Sequence, residues 1–200
     1  VTTNQTNLGF LKSVNAACRC AVKSGADVIL LNSDTLVFPG VFREMRRVAY
    51  LDSMIGFVSP RSNNATICTF PHQYEFSDLP PDQFNEVFQS ICSYLPAFHY
   101  VPTCVGFCLF IKHSILNEVG LLDEVYGKGY SEENDLIMRA NRFGFRAVLA
   151  NRAFVYHIGE KSFGASDMPK AVHERRNFAL LTKRYPEYSG HVDAYFKGAH

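Results

Sequence analysis

The sequence lacks several features that would immediately identify the class of protein to which the chain belongs. Its longest apolar stretch, from Val101 to Ile111, is interrupted by a proline, a threonine and a glycine, and a membrane-spanning helix needs about 20 apolar residues. No basic and apolar leader follows Val1, and the sequence holds no internal repeat and no low-complexity tract. We therefore expect a globular chain without a transmembrane segment.

The sequence also lacks an excess of either charge. It has 20 basic and 19 acidic residues, for a net charge of +1. Proteins that bind nucleic acids or anionic membranes through electrostatics carry a clear basic excess. Neither nucleic acid nor an anionic membrane surface is therefore expected as the main partner.

Cysteine spacing typical of a metal site is missing as well. The chain has six cysteines, and none forms the C-x2-C or C-x4-C pairs that zinc sites favour. Isolated cysteines usually behave as small buried apolar residues. We expect reduced thiols in the core of a cytoplasmic protein, or of one that associates peripherally with the inner face of the membrane. The cysteines are Cys18, Cys20, Cys68, Cys92, Cys104 and Cys108.

What the sequence does contain is an alternation of helical and strand patterns, which predicts an α/β architecture. Its 200 residues suit one domain, and we expect a main body over 1–165 and a helical extension over 166–200 packed on it. The predicted strands cover 27–31, 55–58, 101–111, 145–149 and 154–156, and the predicted helices cover 11–24, 39–50, 81–92, 113–119, 131–143 and 169–185. The segment 60–81 shows no period and is interpreted as a long loop, a kind of segment that is often functional.

The first candidate site is the segment Leu30 to Thr35, with sequence LLNSDT. A buried strand delivers Asn32 and Asp34 to its carboxyl end, where open α/β sheets bind ligands. A carboxylate there is suited to bind a divalent cation. The alternative is that Asn32 and Asp34 only form a turn before the next helix.

The second candidate site is the segment Tyr130 to Asp135, with sequence YSEEND. Ser131 suits a helix N-cap, and the helix dipole favours Glu132 and Glu133 in a first turn, so a purely structural explanation exists. However, three carboxylates lie within four residues. Their mutual repulsion would raise one pKa and create a usable general base among Glu132, Glu133 and Asp135.

The third candidate site is His157, at the end of the apolar segment Phe154 to Tyr156. A single histidine is more often a half-buried structural residue than a ligand. The glycine-flanked segment that follows carries Lys161, which is either a phosphate contact or an ordinary solvated lysine.

Taken together and in order, these clusters resemble the inverting family 2 glycosyltransferases of bacterial type, which have a GT-A fold. The resemblance covers residues 7 to about 165 and is carried by several motifs of that family. The matching segments are Asn7 to Phe10 with Asn15, LLNSDT, Gly106 to Ile111, Glu118 to Glu124, YSEENDL continuing to Arg139, Ala140 and Gly144, and VYHIG with Ser162. The family's first strand and helix have no counterpart before Asn7, so we expect an amino-terminally truncated fold.

The resemblance implies roles for individual residues. Asp34 and His157 would bind Mn²⁺ or Mg²⁺ at the diphosphate of a nucleotide-diphosphate sugar, and Asn32 would contact its ribose or diphosphate. Lys161 would help a loop to close over the phosphates. In the second cluster Glu133 would be the general base and Glu132 would orient it, with Asp135 as a third catalytic carboxylate.

The implied reaction is sugar transfer, with inversion, to a hydroxyl of a glycan or a lipid-linked saccharide, as in polysaccharide biosynthesis. One alternative is a non-catalytic module that binds a glycan or a protein partner through the 60–81 loop and the last helix. Another is a nucleotidyltransferase, but that class places a glycine-rich basic loop after its first strand, and the sequence shows none.

Overall fold

The computed structural model of the chain describes residues 5–71, 79–159 and 170–198. Within these ranges helices and strands alternate, as the sequence predicts. The helices are α1 (Phe10–Ser24), α2 (Val41–Ala49), α3 (Pro81–Cys92), α4 (His113–Glu118), α5 (Glu132–Asn141), α6 (Lys170–Arg184) and α7 (Tyr188–Gly198). The strands are β1 (Val28–Leu31), β2 (Thr35–Val37), β3 (Ile55–Arg61), β4 (Phe98–Val101), β5 (Cys108–Ile111) and β6 (Arg146–His157).

The strands form one mixed sheet in the order β1-β5-β3-β6-β2, and β4 also pairs with β6. Only β3 and β6 run parallel, while the other pairings are antiparallel. The long strand β6 pairs with β3 and β4 through its first half and with β2 through its last residues. This confirms the expected fold class, a mixed sheet flanked by helices.

Local chemistry explains several boundaries that the sequence predicts correctly. Helix α1 ends at Gly25, whose left-handed conformation (φ 67°) suits glycine because it has no Cβ. Helix α3 begins with Pro81, since the first turn of a helix does not use the missing N–H. Strands β3 and β5 are almost wholly buried, which explains their apolar runs.

Other predicted elements are wrong. The strand expected over 101–111 forms only over Cys108–Ile111, as β5; Val101 is the last residue of β4, because Pro102 has no N–H to continue a ladder, and the chain turns before Cys108. Conversely, the two short strands expected after Phe145 are one continuous strand, β6. The loop expected over 60–81 begins with the end of β3 and contains a 3-10 helix, Thr66–Cys68. Residues 72–78 of that loop lie outside the described residues.

The C-terminal helices pack on the same body as the sheet. Leu180 of α6 and Tyr195 and Phe196 of α7 contact the main core. Leu181 and Tyr185 form a smaller cluster with neighbouring side chains of α5 and α7. The expected boundary at 165/166 falls in a segment that is not described.

Two further expectations concern membranes and thiols. No helix in the described parts of the chain combines the length and apolar character needed to cross a bilayer. All six cysteines are free thiols, as expected. Cys18, Cys68, Cys104 and Cys108 are buried, whereas Cys20 is exposed and Cys92 is half-buried, so the expectation of core positions is wrong for these last two.

Candidate active site

Asp34 and His157 meet at the edge of the sheet. Strand β2 pairs with the end of β6 so that Thr35 lies opposite His157. This register brings Oδ2 of Asp34 within 3.4 Å of Nε2 of His157. Asp34 is buried, and its other oxygen, Oδ1, has no hydrogen-bond partner among the described residues.

Two asparagines hold His157 in place, Asn64 through the ring and Asn63 through the backbone. Its Nδ1 lies 2.7 Å from the backbone oxygen of Asn64, and a carbonyl oxygen can only accept, so Nδ1 carries the hydrogen. In the neutral ring Nε2 therefore presents its lone pair to the Asp34 carboxylate. The Asn63 amide accepts from the backbone N–H of His157 at 2.7 Å and donates to its carbonyl at 3.1 Å. Two acceptors that face each other in this way form a site suited to a cation.

The residues present fit a divalent cation. One carboxylate and one imidazole suit Mn²⁺ or Mg²⁺, and the bond from Nδ1 to a carbonyl is the usual way in which a metal-binding histidine is oriented. No group of three or more histidine, cysteine, aspartate or glutamate side chains suited to a metal occurs among the described residues. A cation here would thus share its coordination with water or ligand phosphate oxygens, as Mg²⁺ commonly does.

Asn32 lies half-buried at the end of β1, in the turn that leads to Asp34. Its backbone N–H donates to the carbonyl of Phe107 at 2.8 Å, and its carbonyl accepts from the Thr35 hydroxyl at 2.7 Å. The segment does form a turn, but the turn leads into β2 rather than directly into the next helix, and it places Asp34 beside His157. Lys161 lies outside the described residues.

The second candidate site lies at the start of α5, directly after two residues with an unusual backbone conformation. Tyr130 and Ser131 both have positive φ, 69° and 74°, which side chains with a Cβ rarely adopt. Ser131 occupies the N-cap position, as predicted, but its side chain makes no capping hydrogen bond to the helix. Consecutive strained residues of this kind are found mainly where the surrounding structure holds them for function.

Glu132 and Glu133 are carboxyl groups that hold protons more tightly than usual. Burial, together with the charge of Glu133, raises the pKa of Glu132 to about 8. Burial also raises the pKa of Glu133, although the backbone N–H groups of Gly106 and Asn134 bind its carboxylate and oppose the shift. One oxygen of each carboxyl group lacks a partner among the described residues. A carboxyl group with a raised pKa is, in its ionised form, a stronger base than usual and is suited to accept a proton from a ligand.

Asp135 occupies a different environment. It is fully buried, and its Oδ1 accepts from Arg139 at 2.8 Å. Its Oδ2 accepts from Arg184 at 2.9 Å and from the hydroxyls of Tyr126 and Tyr185 at 3.0 and 3.3 Å. This environment holds α5 and α6 together and leaves no oxygen for a direct contact with a ligand.

A hollow of about 470 Å³ opens between the start of α5 and the first turns of α6. Glu133 is the one member of the acidic cluster that lines it, and the ring of Phe178, 49% exposed, forms part of the opposite wall. The lining residues are Tyr130, Ser131, Glu133, Asn134, Ala171, Glu174, Arg175 and Phe178.

The segment Gly106–Phe107 connects the two sites. The Phe107 ring stacks on the His157 ring with centroids 5.1 Å apart, and the N–H of Gly106 binds Glu133. Adjacent Cα atoms are about 3.8 Å apart, so the Asp34–His157 pair and the carboxylate of Glu133 flank the same short segment. The sequence did not predict this role, because the segment was assigned to the interior of a strand.

The comparison with protein-family models shows to which family the chain belongs. The model of the family described as "Glycosyltransferase like family 2" matches residues 1–171. The chain belongs to this family.

The solved structures that resemble the chain are glycosyltransferases, and they show that the fold is GT-A-like. A structure of GalNAc-T7 with UDP, GalNAc and Mn²⁺ is 14% identical, with a TM-score of 0.63 over 94% of this chain and 37% of that one. A mannosyltransferase from Pyrobaculum calidifontis, PcManGT, with GDP-Man and Mn²⁺ is also 14% identical, with a TM-score of 0.54 over 98% of this chain and 57% of that one. The chain thus spans less than two thirds of either protein. A search of curated protein sequences found no match.

Proposed function

We propose that this chain carries the catalytic site of a transferase that moves a sugar from a nucleotide-diphosphate sugar to a hydroxyl acceptor. The observation that carries the proposal is that the segment Gly106–Phe107 contacts both candidate sites: the Phe107 ring stacks on His157, the partner of Asp34, and the backbone of Gly106 contacts Glu133. The two similar structures hold Mn²⁺ together with UDP and GalNAc or with GDP-Man, which supports a related donor here.

The donor diphosphate is assigned to the Asp34–His157 side. These two side chains would hold Mn²⁺ or Mg²⁺, and Asn32, in the same turn, would contact the ribose or the diphosphate. A bound cation would supply Lewis-acid stabilisation of the negative charge on the leaving diphosphate. Lys161 would contribute a positive charge to the phosphates of the donor.

The acceptor is assigned to the hollow beside α5. Glu133 removes the proton of the acceptor hydroxyl as the new C–O bond forms, and its raised pKa makes it a stronger base than an ordinary carboxylate. Glu132 supports it from the same helical turn, while Asp135 acts by positioning α5. The half-exposed Phe178 ring and the polar Asn134 and Glu174 around it suit a glycan or a lipid-linked saccharide.

One base and an in-line attack imply inversion at the anomeric carbon, because no covalent sugar–enzyme intermediate is formed. The leaving diphosphate departs from the face opposite to the incoming oxygen. A product that retains the donor's anomeric configuration would contradict this part of the proposal but not the transfer itself.

The complete protein carrying Asp34→Ala or Glu133→Gln tests the proposal. We expect each variant to lose transfer, with a fall of about 10²- to 10⁴-fold for the base, measured as release of nucleotide diphosphate from a panel of sugar nucleotides. Glu133→Gln should still be stabilised thermally by nucleotide diphosphate with Mn²⁺, whereas Asp34→Ala should not.

The matched control is Glu86→Gln, an exposed glutamate of α3 far from both sites in the sequence. It should transfer sugar at the wild-type rate. Wild-type turnover by both Asp34→Ala and Glu133→Gln would refute the proposed site.

A further inference from the structure

We infer that Asn177 of α6 is a positioning residue for Glu133, an inference that rests on the proposed function. Asn177 is fully buried. Its side-chain nitrogen donates to the carbonyl oxygens of Tyr126 at 2.8 Å, Gly129 at 2.7 Å and Tyr130 at 3.2 Å. A single side chain therefore fixes both ends of the turn that precedes the helix bearing the base.

The bonding of Asn177 has one orientation only. A side-chain amide has two N–H groups, so two of the three carbonyls receive short bonds and the third shares a hydrogen at the longer distance. Rotation of the amide by a half turn would place its oxygen against three carbonyl oxygens. The NH₂ group is therefore the functional part of this side chain.

The turn needs such an external bond because of its own conformation. Tyr130 and Ser131 hold left-handed backbone angles without being glycine, and such angles persist only where the surroundings determine them. The Ser131 side chain does not cap the helix. Asn177 binds the carbonyl of Tyr130 itself, two residues before Glu132 and three before Glu133.

Helix α6 is a firm support for Asn177. Arg184, two turns further along, binds Asp123 at 2.7 Å and Asp135 at 2.9 Å. Leu181 of the same helix and Tyr185, the residue after its end, are buried against neighbouring elements. Asn177 also lies beyond residues 1–171, the part matched by the family model, so membership of the family assigns it no role.

A base is effective only when it lies within hydrogen-bond reach of the proton, and an error of about 1 Å can cost about 10²-fold in rate. We expect Asn177→Ala to lower kcat by about 10- to 100-fold and to leave the KM for the donor within about twofold. Binding of nucleotide diphosphate and Mn²⁺ should not change, since the bonds of Asn177 go to the turn before α5, whereas the metal is assigned to Asp34 and His157.

Asn177→Asp separates hydrogen bonding from packing. It preserves the size of the side chain but replaces its donating group with an oxygen, so we expect the same loss of kcat. The control is Thr182→Ala, since the Thr182 hydroxyl bonds only to backbone carbonyls of its own helix. Wild-type kcat in Asn177→Asp would overturn the inference.

Hydrogen exchange gives a measurement that does not depend on turnover. In the wild type the amides of 130–135 should exchange together with those of α6, and in both Asn177 variants they should exchange faster while β1 and β5 do not change. Unchanged exchange at 130–135 in a folded variant would overturn the inference. If the wild type transferred no sugar, the proposed function would fail, and exchange would still decide whether Asn177 holds the turn.

Discussion

At the scale of single residues, the buried polar atoms without partners are concentrated at one place. Native proteins contain few such atoms, and among the described residues five side chains hold one each. All five belong to the candidate active site or to the face of α6 around it. They are Asp34, Glu132, Glu133, His173 and Asn177. Leaving buried polar atoms without partners costs folding free energy, and such a cost is expected where the protein keeps polar groups for a ligand rather than for stability.

The raised pKa of Glu132 predicts how stability depends on pH. The folded chain binds this proton up to a pKa of about 8, whereas the ordinary value is 4.5. Between these values the folded state binds more protons than the unfolded state, so stability falls as pH rises. We expect Glu132→Gln to flatten this dependence and to raise the free energy of unfolding near pH 8 by about 1–3 kcal/mol.

Urea unfolding of wild type and variant from about pH 5 to about pH 8.5 measures this effect. The two curves should approach each other toward the acid end, because the difference in proton binding between the folded and unfolded states disappears as the pH nears the ordinary carboxyl pKa of 4.5. Glu187→Gln, at an exposed position, should follow the wild type throughout. Parallel curves for Glu132→Gln would show that Glu132 is not buried as described.

At the scale of elements, Asp135 determines how α5 and α6 join. Its carboxylate is buried and binds Arg139 and Arg184. We expect Asp135→Ala to lower the free energy of unfolding by about 3–5 kcal/mol, because two arginines lose a buried partner. Asp123→Ala removes the partly exposed partner of Arg184 and the bond that Asp123 accepts from the N–H of Val125, and it should cost less, about 1–2 kcal/mol. Equal, small effects in chemical denaturation would contradict this assignment.

The elements that the sequence predicted well are those with strong local signals. Helix α1 has a glycine stop and α3 a proline start, and both follow from the chemistry of a few neighbouring residues. Strand β2 was not predicted, because its three residues are too short a pattern to distinguish from a turn. It exists because β6 offers it a partner.

At the scale of the whole molecule, the reactivity of the thiols reports on the core. Burial raises the pKa of Cys18 to about 11 and those of Cys104 and Cys108 to about 12, and it raises the pKa of Cys68 as well. Reaction requires an accessible thiolate. We expect a thiol reagent near neutral pH to modify only Cys20 and Cys92 in the native protein.

Counting thiols before and after unfolding checks this expectation. Denaturant should release all six, and Cys20→Ser should remove the faster native reaction, since Cys20 is the exposed one. Rapid native modification of a third thiol would mean that the core is open around that thiol.

The sequence alone determined the α/β class, the order of most elements and the identity of Asp34, His157 and Glu133 as candidates, because these depend on local periodicity and on motifs that are contiguous in the chain. The tertiary structure decided which candidates meet. Pairing of β2 with β6 brings Asp34 to His157, and the segment Gly106–Phe107 contacts His157 through Phe107 and Glu133 through Gly106. The tertiary structure also showed that Asp135, unlike Glu132 and Glu133 beside it, is bound by Arg184, and that Asn177 bonds to the turn before α5. The physical reason is that strand register and hydrogen bonds between distant segments are set by packing, which no local pattern contains.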